Sequence, residues 1–410
     1  MLLFLGLLIS QYSFSQNNTN SPYTRFGYGE LNDNNSGEQR ALGGLGIALR
    51  SNSSINVVNP ASYSSVDSLT FMFDIALSAL GSRFTDPSGN KYSMNSNIEY
   101  ITMQFPLSKH MGFSAGLQPY SFSGYNFYST GTLSTDIFPD TITYNELYFG
   151  SGAISQVYAG LSYKFFNHLS VGVNSYYMFG KSANIKDLSF SNTTNFHETV
   201  QTKSMEINNF RFRYGVQLFN TFNKVHTVTL GGIYEPKAKM NGNYSEVTSG
   251  VLTEYTPDST FNNSFETPEI FGLGLNYSFK NSITVGVDYS LQKWGEAQYF
   301  GKTDSLNNRS KISVGGEFVP NPKGRKYSDR IHYRAGFNLS DPYYKTGAVT
   351  PAKNFGISFG IGLPLKNSNS LVNATVEYGK VGSSNMLRED YMRFTLNVPF
   401  IETWFFKRKL

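Results

Sequence analysis

Residues 355–363 read FGISFGIGL, and the fold turns on this stretch. Phe355, Ile357, Phe359, Ile361 and Leu363 share one parity, while Gly356, Ser358, Gly360 and Gly362 share the other. An extended chain then carries large apolar groups on one face and small or polar groups on the opposite face. The alternation recurs along most of the sequence, as a barrel needs when its outer wall meets lipid and its interior holds water. The predicted fold is all-β, a transmembrane antiparallel β-barrel of roughly 14 strands closed by an N-terminal hatch or plug.

Working outward from that strand, the apolar parity predicts the lipid face elsewhere. It holds Val157, Leu161 and Tyr163; Leu169, Val171 and Val173; Phe210, Phe212 and Tyr214; Phe271, Leu273, Leu275 and Tyr277; Ile283, Val285, Val287 and Tyr289. It continues through Ile331, Tyr333 and Phe337; Val372, Ala374, Val376 and Tyr378; and Phe394, Leu396, Val398 and Phe400. Arg211, Arg213, Asp288, Glu317, Arg334, Glu377 and Arg393 all fall on the other parity. A Lys or Arg facing lipid at the midplane costs about 2–4 kcal/mol, whereas a lumen charge is hydrated or paired. The charges therefore support the register.

Composition agrees. The 410 residues include no cysteine, 15% charged and 16% aromatic residues, with 34 Phe, 28 Tyr and 38 Gly. Charge is well below the quarter or so of residues expected in a soluble domain, yet mean hydropathy is −0.31. After the first dozen residues no run approaches the ~20 apolar residues of a membrane helix. Without cysteine there is no disulfide framework, thiolate nucleophile or thiolate metal site. A net charge of +5 with no basic stripe gives no reason to expect nucleic acid.

Connections alternate in length. Short ones fall at SKH near Ser108, FFNH near Phe166, FNK near Asn223, KNS near Lys280, PNPKGRKYSD from Pro320 and KNSNS near Lys366. Long ones are expected around residues 86–95, 131–152, 186–198, 241–266, 301–308 and 340–353. Short turns belong to the periplasmic rim and long loops to the outside, so the pattern predicts a bacterial outer-membrane protein with both termini periplasmic. The expected division is a signal peptide at 1–15, an extension and hatch at 16–68, the barrel at 69–401 and a periplasmic tail at 402–410. The signal segment MLLFLGLLISQYSFS lacks a basic n-region, but its apolar core and small residues suit cleavage before Gln16. At the other end, Trp404, Phe405 and Phe406 beside Lys407, Arg408 and Lys409 read as an interfacial belt or as a plain tail.

Residues 40–68, RALGGLGIALRSNSSINVVNPASYSSVDS, are too interrupted for a long helix and too irregular for a lipid-facing strand. They read as a plug or as a periplasmic linker. ALGGLGIAL followed by NVVNPASY, TPEIFGLGLNYSF followed by NSITVGVDYSLQKWGE, and RIHYRAGFNLSD followed by FGISFGIGL together resemble the FadL/TodX family of long-chain fatty-acid transporters of the outer membrane. The resemblance covers most of the chain in order. It implies a monomeric barrel with a hatch carrying Asn59, Pro60 and Ala61, and passage of hydrophobic molecules through a side opening at a kink in the third strand. Here that strand carries Pro119 between Gly116 and Gly124, where a missing N–H and missing side chains favour a bulge, whether at a gate or at an ordinary rim.

Arg211 and Arg213 are candidate head-group ligands, because guanidinium groups grip carboxylates. Asp288, Trp294, Arg334 and Arg393 are further lumen candidates, with internal bracing by Arg334, Arg393, Glu317, Asp288 and Glu377 as the alternative. Gly112, Ser114 and Gly116 match a nucleophile-elbow pattern but lie within a strand rather than a strand-to-helix turn, so no catalysis is expected. His110, His168, His197, His226 and His332 show no metal-ligand spacing, and no cofactor or metal is expected. Two functions follow. One is passive uptake of hydrophobic or amphipathic small molecules. The other is a non-transporting scaffold in a multiprotein outer-membrane complex for secretion or barrel assembly, whose loops, rich in Asn, Ser, Thr and Tyr, suit contacts with partner outer-membrane proteins or lipoproteins. Outer-membrane lipid is a partner in both.

Overall fold

The computed structural model describes residues 18–135, 138–190, 197–250, 254–255, 264–346, 352–365, 370–382 and 387–403. The expected signal peptide and the aromatic and basic residues 404–409 lie outside them. No helix among the described residues is long and apolar enough to cross a membrane.

Strands form where the alternation predicts them. They are β1 (Thr70–Asp86), β2 (Gly89–Pro106), β3 (Met111–Thr135), β4 (Phe138–Phe165), β5 (Leu169–Phe190) and β6 (Thr199–Phe222). Next come β7, in two pieces (His226–Glu235 and Ala238–Gly250), and β8, also in two (Phe265–Thr267 and Ile270–Phe279). The wall is completed by β9 (Ile283–Gln292), β10 (Arg309–Phe318), β11 (His332–Ser340), β12 (Asn354–Pro364), β13 (Leu371–Gly382) and β14 (Arg388–Thr403). Neighbours pair antiparallel in sequence order, and β14 returns to β1 from Arg388↔Thr85 to Thr403↔Thr70. The result is a closed 14-stranded antiparallel barrel. Both interruptions contain a proline, Pro236 in β7 and Pro268 in β8, which has no N–H for the ladder.

One rim carries tight turns, beside a longer connection that holds a 3₁₀ turn (Tyr327–Arg330). Phe166 and Asn167, Asn223 and Lys224, and Lys280 and Asn281 are pairs of successive residues with φ between 46° and 62°, the backbone of type I′ hairpins, whose twist matches the flanking strands. At the other rim the wall is lopsided: β3, β4, β5 and β6 run 25, 28, 22 and 24 residues, against 10, 10 and 9 for β9, β10 and β11. Of the stretches expected as long loops, 86–95 and 131–152 are mostly strand, and strand also covers 186–190 and 241–250. The first turns tightly at residues 86–89, where Asp86 Oδ1 accepts the N–H of Ser88 at 2.8 Å and of Gly89 at 3.0 Å. Polar sequence there looks like loop because neither face is buried in apolar surroundings, while the ladder to β1 holds it extended.

The outward rows are exposed as the parity predicts: Leu273, Val285, Tyr333 and Phe394 all lie above the level of buried residues, whereas Arg211, Arg213, Asp288 and Arg334 are buried inside. The inside is filled by residues 18–68. They form a 3₁₀ turn (Pro22–Arg25), a two-residue strand (Glu30–Leu31), α1 (Gly37–Ala41) and a second 3₁₀ turn (Pro60–Ser65). Ser36 and Gln39 close a capping box on α1, which satisfies two otherwise orphaned N–H groups. Asn59 caps the second turn, accepting from Ala61 N at 3.0 Å. The small inward face of the wall strands, expected to line water, is instead the seat of this plug: a Cβ at Gly336 would collide with the backbone of Leu42 and Gly43, and one at Gly360 with the Ala41 side chain.

Candidate functional site

The plug is tied to the wall by backbone groups meeting inward side chains. Asp288 on β9 accepts the N–H of Gly46 at 2.7 Å and of Ile47 at 2.8 Å through one oxygen, Oδ2, so the glycine-rich turn forms a small anion nest around a carboxylate. Sequence reading paired Asp288 with arginines, and the structure pairs it with the plug. Asn59 Nδ2 donates to Ile47 O at 2.7 Å and reaches the carbonyls of Val216 on β6 and Gly232 on β7. Ser170 Oγ donates to Ala61 O at 2.7 Å. A Cβ at Gly172 would meet the carbonyl of Pro60.

The charged lumen candidates are already partnered. Arg211 pairs with Glu235 and donates to Gln156 Oε1 at 2.6 Å, while Arg213 Nε reaches the second oxygen of Glu235 at 3.0 Å. The Arg211 guanidinium also lies 4.2 Å from the ring centroid of Tyr176. Glu235 escaped the sequence reading because it ends a strand piece just before Pro236, although its parity opposite the exposed Tyr234 was a usable signal. Arg334 donates to Glu317 and to Asn373, each at 2.6 Å, and lies 3.7 Å from Glu38 of α1. Arg393 reaches Glu30 of the plug at 3.1 Å and Glu377 at 4.0 Å.

A further knot was not foreseen. Asp33 of the plug accepts from Arg309 at 2.8 Å and from Lys311 at 2.7 Å, both on β10. Burial alone would raise its pKa, but the two neighbouring cations and their hydrogen bonds prevail and hold the carboxyl well below the usual carboxylate range. Around it lies a cavity of about 180 Å³ whose lining includes Glu30, Arg40, Asp33, Arg309 and Arg393.

Toward the rim of the long strands, aromatic groups occupy the lumen. Trp294 is 1% exposed, donates from Nε1 to Gln292 Oε1 at 2.8 Å, and packs on Tyr28 and Tyr343 with centroids 5.4 and 5.0 Å apart. Tyr343 Oη accepts from Tyr28 N at 2.9 Å and donates to Gly29 O at 2.5 Å. Tyr299 Oη donates to Gly27 O at 2.8 Å. Phe265 completes the cluster.

The third strand departs from its neighbour as its proline suggests. β2 and β3 pair only from Ile101↔Leu117 to Pro106↔Gly112, although β2 follows β1 out to Gly89 and β3 follows β4 out to Thr135. Each strand has an extra residue where the two part. Tyr120 has no partner between Pro119↔Ser155 and Ser121↔Ile154, and Glu99 has none between Ile98↔Leu77 and Tyr100↔Ala76. Such bulges bend a strand. Gly116 stands at the fork, and from Gln118 to Gly124 the alternation of exposure is lost because the strand turns inward against the plug. Glu30 and Leu31 pair there with Phe122 and Ser121, while Thr24 exchanges hydrogen bonds with Gly124 at 3.1 Å.

Ser114 of the nucleophile-elbow pattern donates to the Met103 carbonyl at 2.8 Å and contacts the Tyr158 hydroxyl, within a continuous strand. His332 pairs with Glu317 at 2.9 Å. Among the described residues no group of three His, Cys, Asp or Glu side chains is placed to hold a metal ion.

Comparison with known proteins gives the following. A family model described as BamG matches residues 1–410. Among curated proteins none matches. The chain superposes on the toluene transporter TbuX of Ralstonia pickettii with a TM-score of 0.59 at 12% identity, covering 89% of this chain and 97% of that one. The CymD monoaromatic hydrocarbon channel gives 0.57 at 10% identity over 93% and 99%. A FadL homologue of Pseudomonas aeruginosa gives 0.56 at 11% identity over 90% and 98%. The fold is therefore that of FadL-type barrels.

Proposed function

This chain belongs to the BamG family, and from that premise we propose that it is an outer-membrane barrel with a seated plug, serving as a non-transporting subunit of a multiprotein outer-membrane complex. The family name hints at an assembly complex. The observation that carries this reading is the filled lumen. Buried arginines that would otherwise bind a carboxylate head group are held by Glu235, Glu317 and Glu30, and the aromatic cluster of Tyr28, Phe265, Trp294 and Tyr343 occupies the mouth. An entering ligand would have to break buried ion pairs, at several kcal/mol each by the usual magnitude. In this reading residues 16–68 are a stopper, the tight turns and both termini face the periplasm, and the work is done by the wall and the outer strands without catalysis or cofactor.

The opening between β2 and β3, together with the printed names of the hydrocarbon channels that share the fold, favours a second reading, passive uptake of hydrophobic molecules. Mild-detergent purification from the native membrane, with mass spectrometry of lipids and proteins, separates the two. Stoichiometric protein partners with no lumen ligand are expected. A lone barrel carrying fatty acid or hydrocarbon would overturn the subunit reading in favour of uptake.

A further inference from the structure

We infer that a polar cavity between the plug and the wall is a site for one small monovalent anion of the chloride class. The inference goes beyond both readings above and depends on neither. The cavity measures about 90 Å³ and lies along the inner face of β6 to β10. Arg211, Arg213, Asp288, Arg309 and Lys311 line it from the wall, and residues 31–35 of the plug form its other side. A polar space of that size admits an ion with a few waters.

The charges around this space do not balance. Glu235 serves two cations, Arg211 and Arg213. Asp33 serves two more, at 2.8 Å from Arg309 and 2.7 Å from Lys311. The third carboxylate, Asp288, is taken up by the amides of Gly46 and Ile47. Among the described residues that line the cavity or pair with its lining, four cations thus face three carboxylates, and one positive charge is left over. The carboxylates of the adjoining larger cavity pair with other groups: Glu99 with Arg40, Glu30 and Glu377 with Arg393, and Glu389 with the hydroxyls of Ser21 and Ser82. An uncompensated charge held away from bulk water is costly. One monovalent counter-ion cancels it, and a divalent one overshoots.

A donor is also in place. Arg211 is 2% exposed. Its Nη1 meets Glu235 and its Nη2 donates to Gln156 at 2.6 Å, but its Nε has no partner among the described residues. The guanidinium is held between the ring of Tyr176, 4.2 Å from its centroid, and that of Tyr120, 5.2 Å away, so the donor is fixed. A buried N–H of a charged group calls for an acceptor. Water can satisfy the N–H but carries no charge, whereas an anion answers both demands. Because the plug enters the balance through Asp33, the anion is part of what seats it.

Equilibrium dialysis tests this. The full-length protein in detergent is freed of halide in sodium gluconate and dialysed against bromide at constant ionic strength. Bound bromide is counted by ion chromatography, and folding is checked by heat-modifiable gel mobility. The expected result is saturable binding of one bromide per chain, with the temperature of the mobility shift rising as bromide increases. Arg211→Gln and Lys311→Gln each remove the excess charge and should weaken binding about tenfold or more. Lys181→Gln, at an exposed position of the wall, should leave it unchanged. A lumen variant that does not fold leaves the decision to the other and to the parent. No saturable binding by the parent, equal binding by the parent and a folded lumen variant, or displacement of bromide by an equivalent of sulfate would overturn the inference.

Discussion

The Oδ2 atom of Asp288 lies 2.7 Å from the amide nitrogen of Gly46, across 242 residues of sequence. Because the same oxygen also takes the Ile47 amide, one wall carboxylate fixes the turn of the plug. Asp288→Ala should orphan both N–H groups, at about 1–3 kcal/mol for such a buried loss. Protease cleavage near Arg50 should accelerate while the barrel keeps its heat-modifiable mobility. Asp288→Asn, which keeps an acceptor, should lie between the variant and the parent.

Glu235 neutralises two guanidinium groups, both buried with it. Glu235→Ala should destabilise the barrel by about 3–5 kcal/mol, because it leaves uncompensated charge in a dry site. Arg213→Ala should cost less, since Arg211 still holds the carboxylate. The temperature of the gel-mobility shift reads both, and equal shifts would argue against a shared charge site.

The Asp33 knot gives stability a defined pH dependence. Its folded pKa lies below the ordinary 3.8, so its contribution is fully present above the unfolded value and is lost as pH falls through the lower, folded value. The melting difference between the parent and Asp33→Asn should therefore be constant at neutral pH. It should narrow only in acid, below about pH 4. A difference that already changes between neutral pH and about pH 6 would place the linkage on another group.

Gly336 faces the plug with no room for a side chain. Gly336→Leu should either cost about 1–3 kcal/mol by overpacking or expel the plug from its seat. Ion conductance in a planar bilayer distinguishes the outcomes, since only an unseated plug opens a polar path. Alanine at the outward Gly316, where the nearest atom to a new Cβ is 3.4 Å away, should leave both stability and conductance unchanged.

Much of this architecture was legible residue by residue. The rows Phe271, Leu273, Leu275 and Ile283, Val285, Val287 read as wall strands because every second residue answers to lipid, and the connections at Asn167, Asn223 and Asn281 read as tight turns because so few residues separate the alternating stretches. Residues 89–95 were harder. Lys91, Ser93 and Asn95 carry no apolar signal on the inner face, yet pairing with β1 keeps them in strand. Pro119 and Gly116 marked the fork in β3, but Glu99, the matching bulge in β2, leaves no local trace.

By itself, then, the sequence determined the fourteen strands, their faces and the two kinds of rim, because each follows from alternation between neighbours that meet two different surroundings. The tertiary structure decided what the interior contains and where two neighbouring strands part. Gly46 meets Asp288, Asp33 meets Arg309, and Glu30 meets Phe122 only after the sheet has closed. Contacts between residues so far apart depend on register summed around the whole barrel, which no local period encodes.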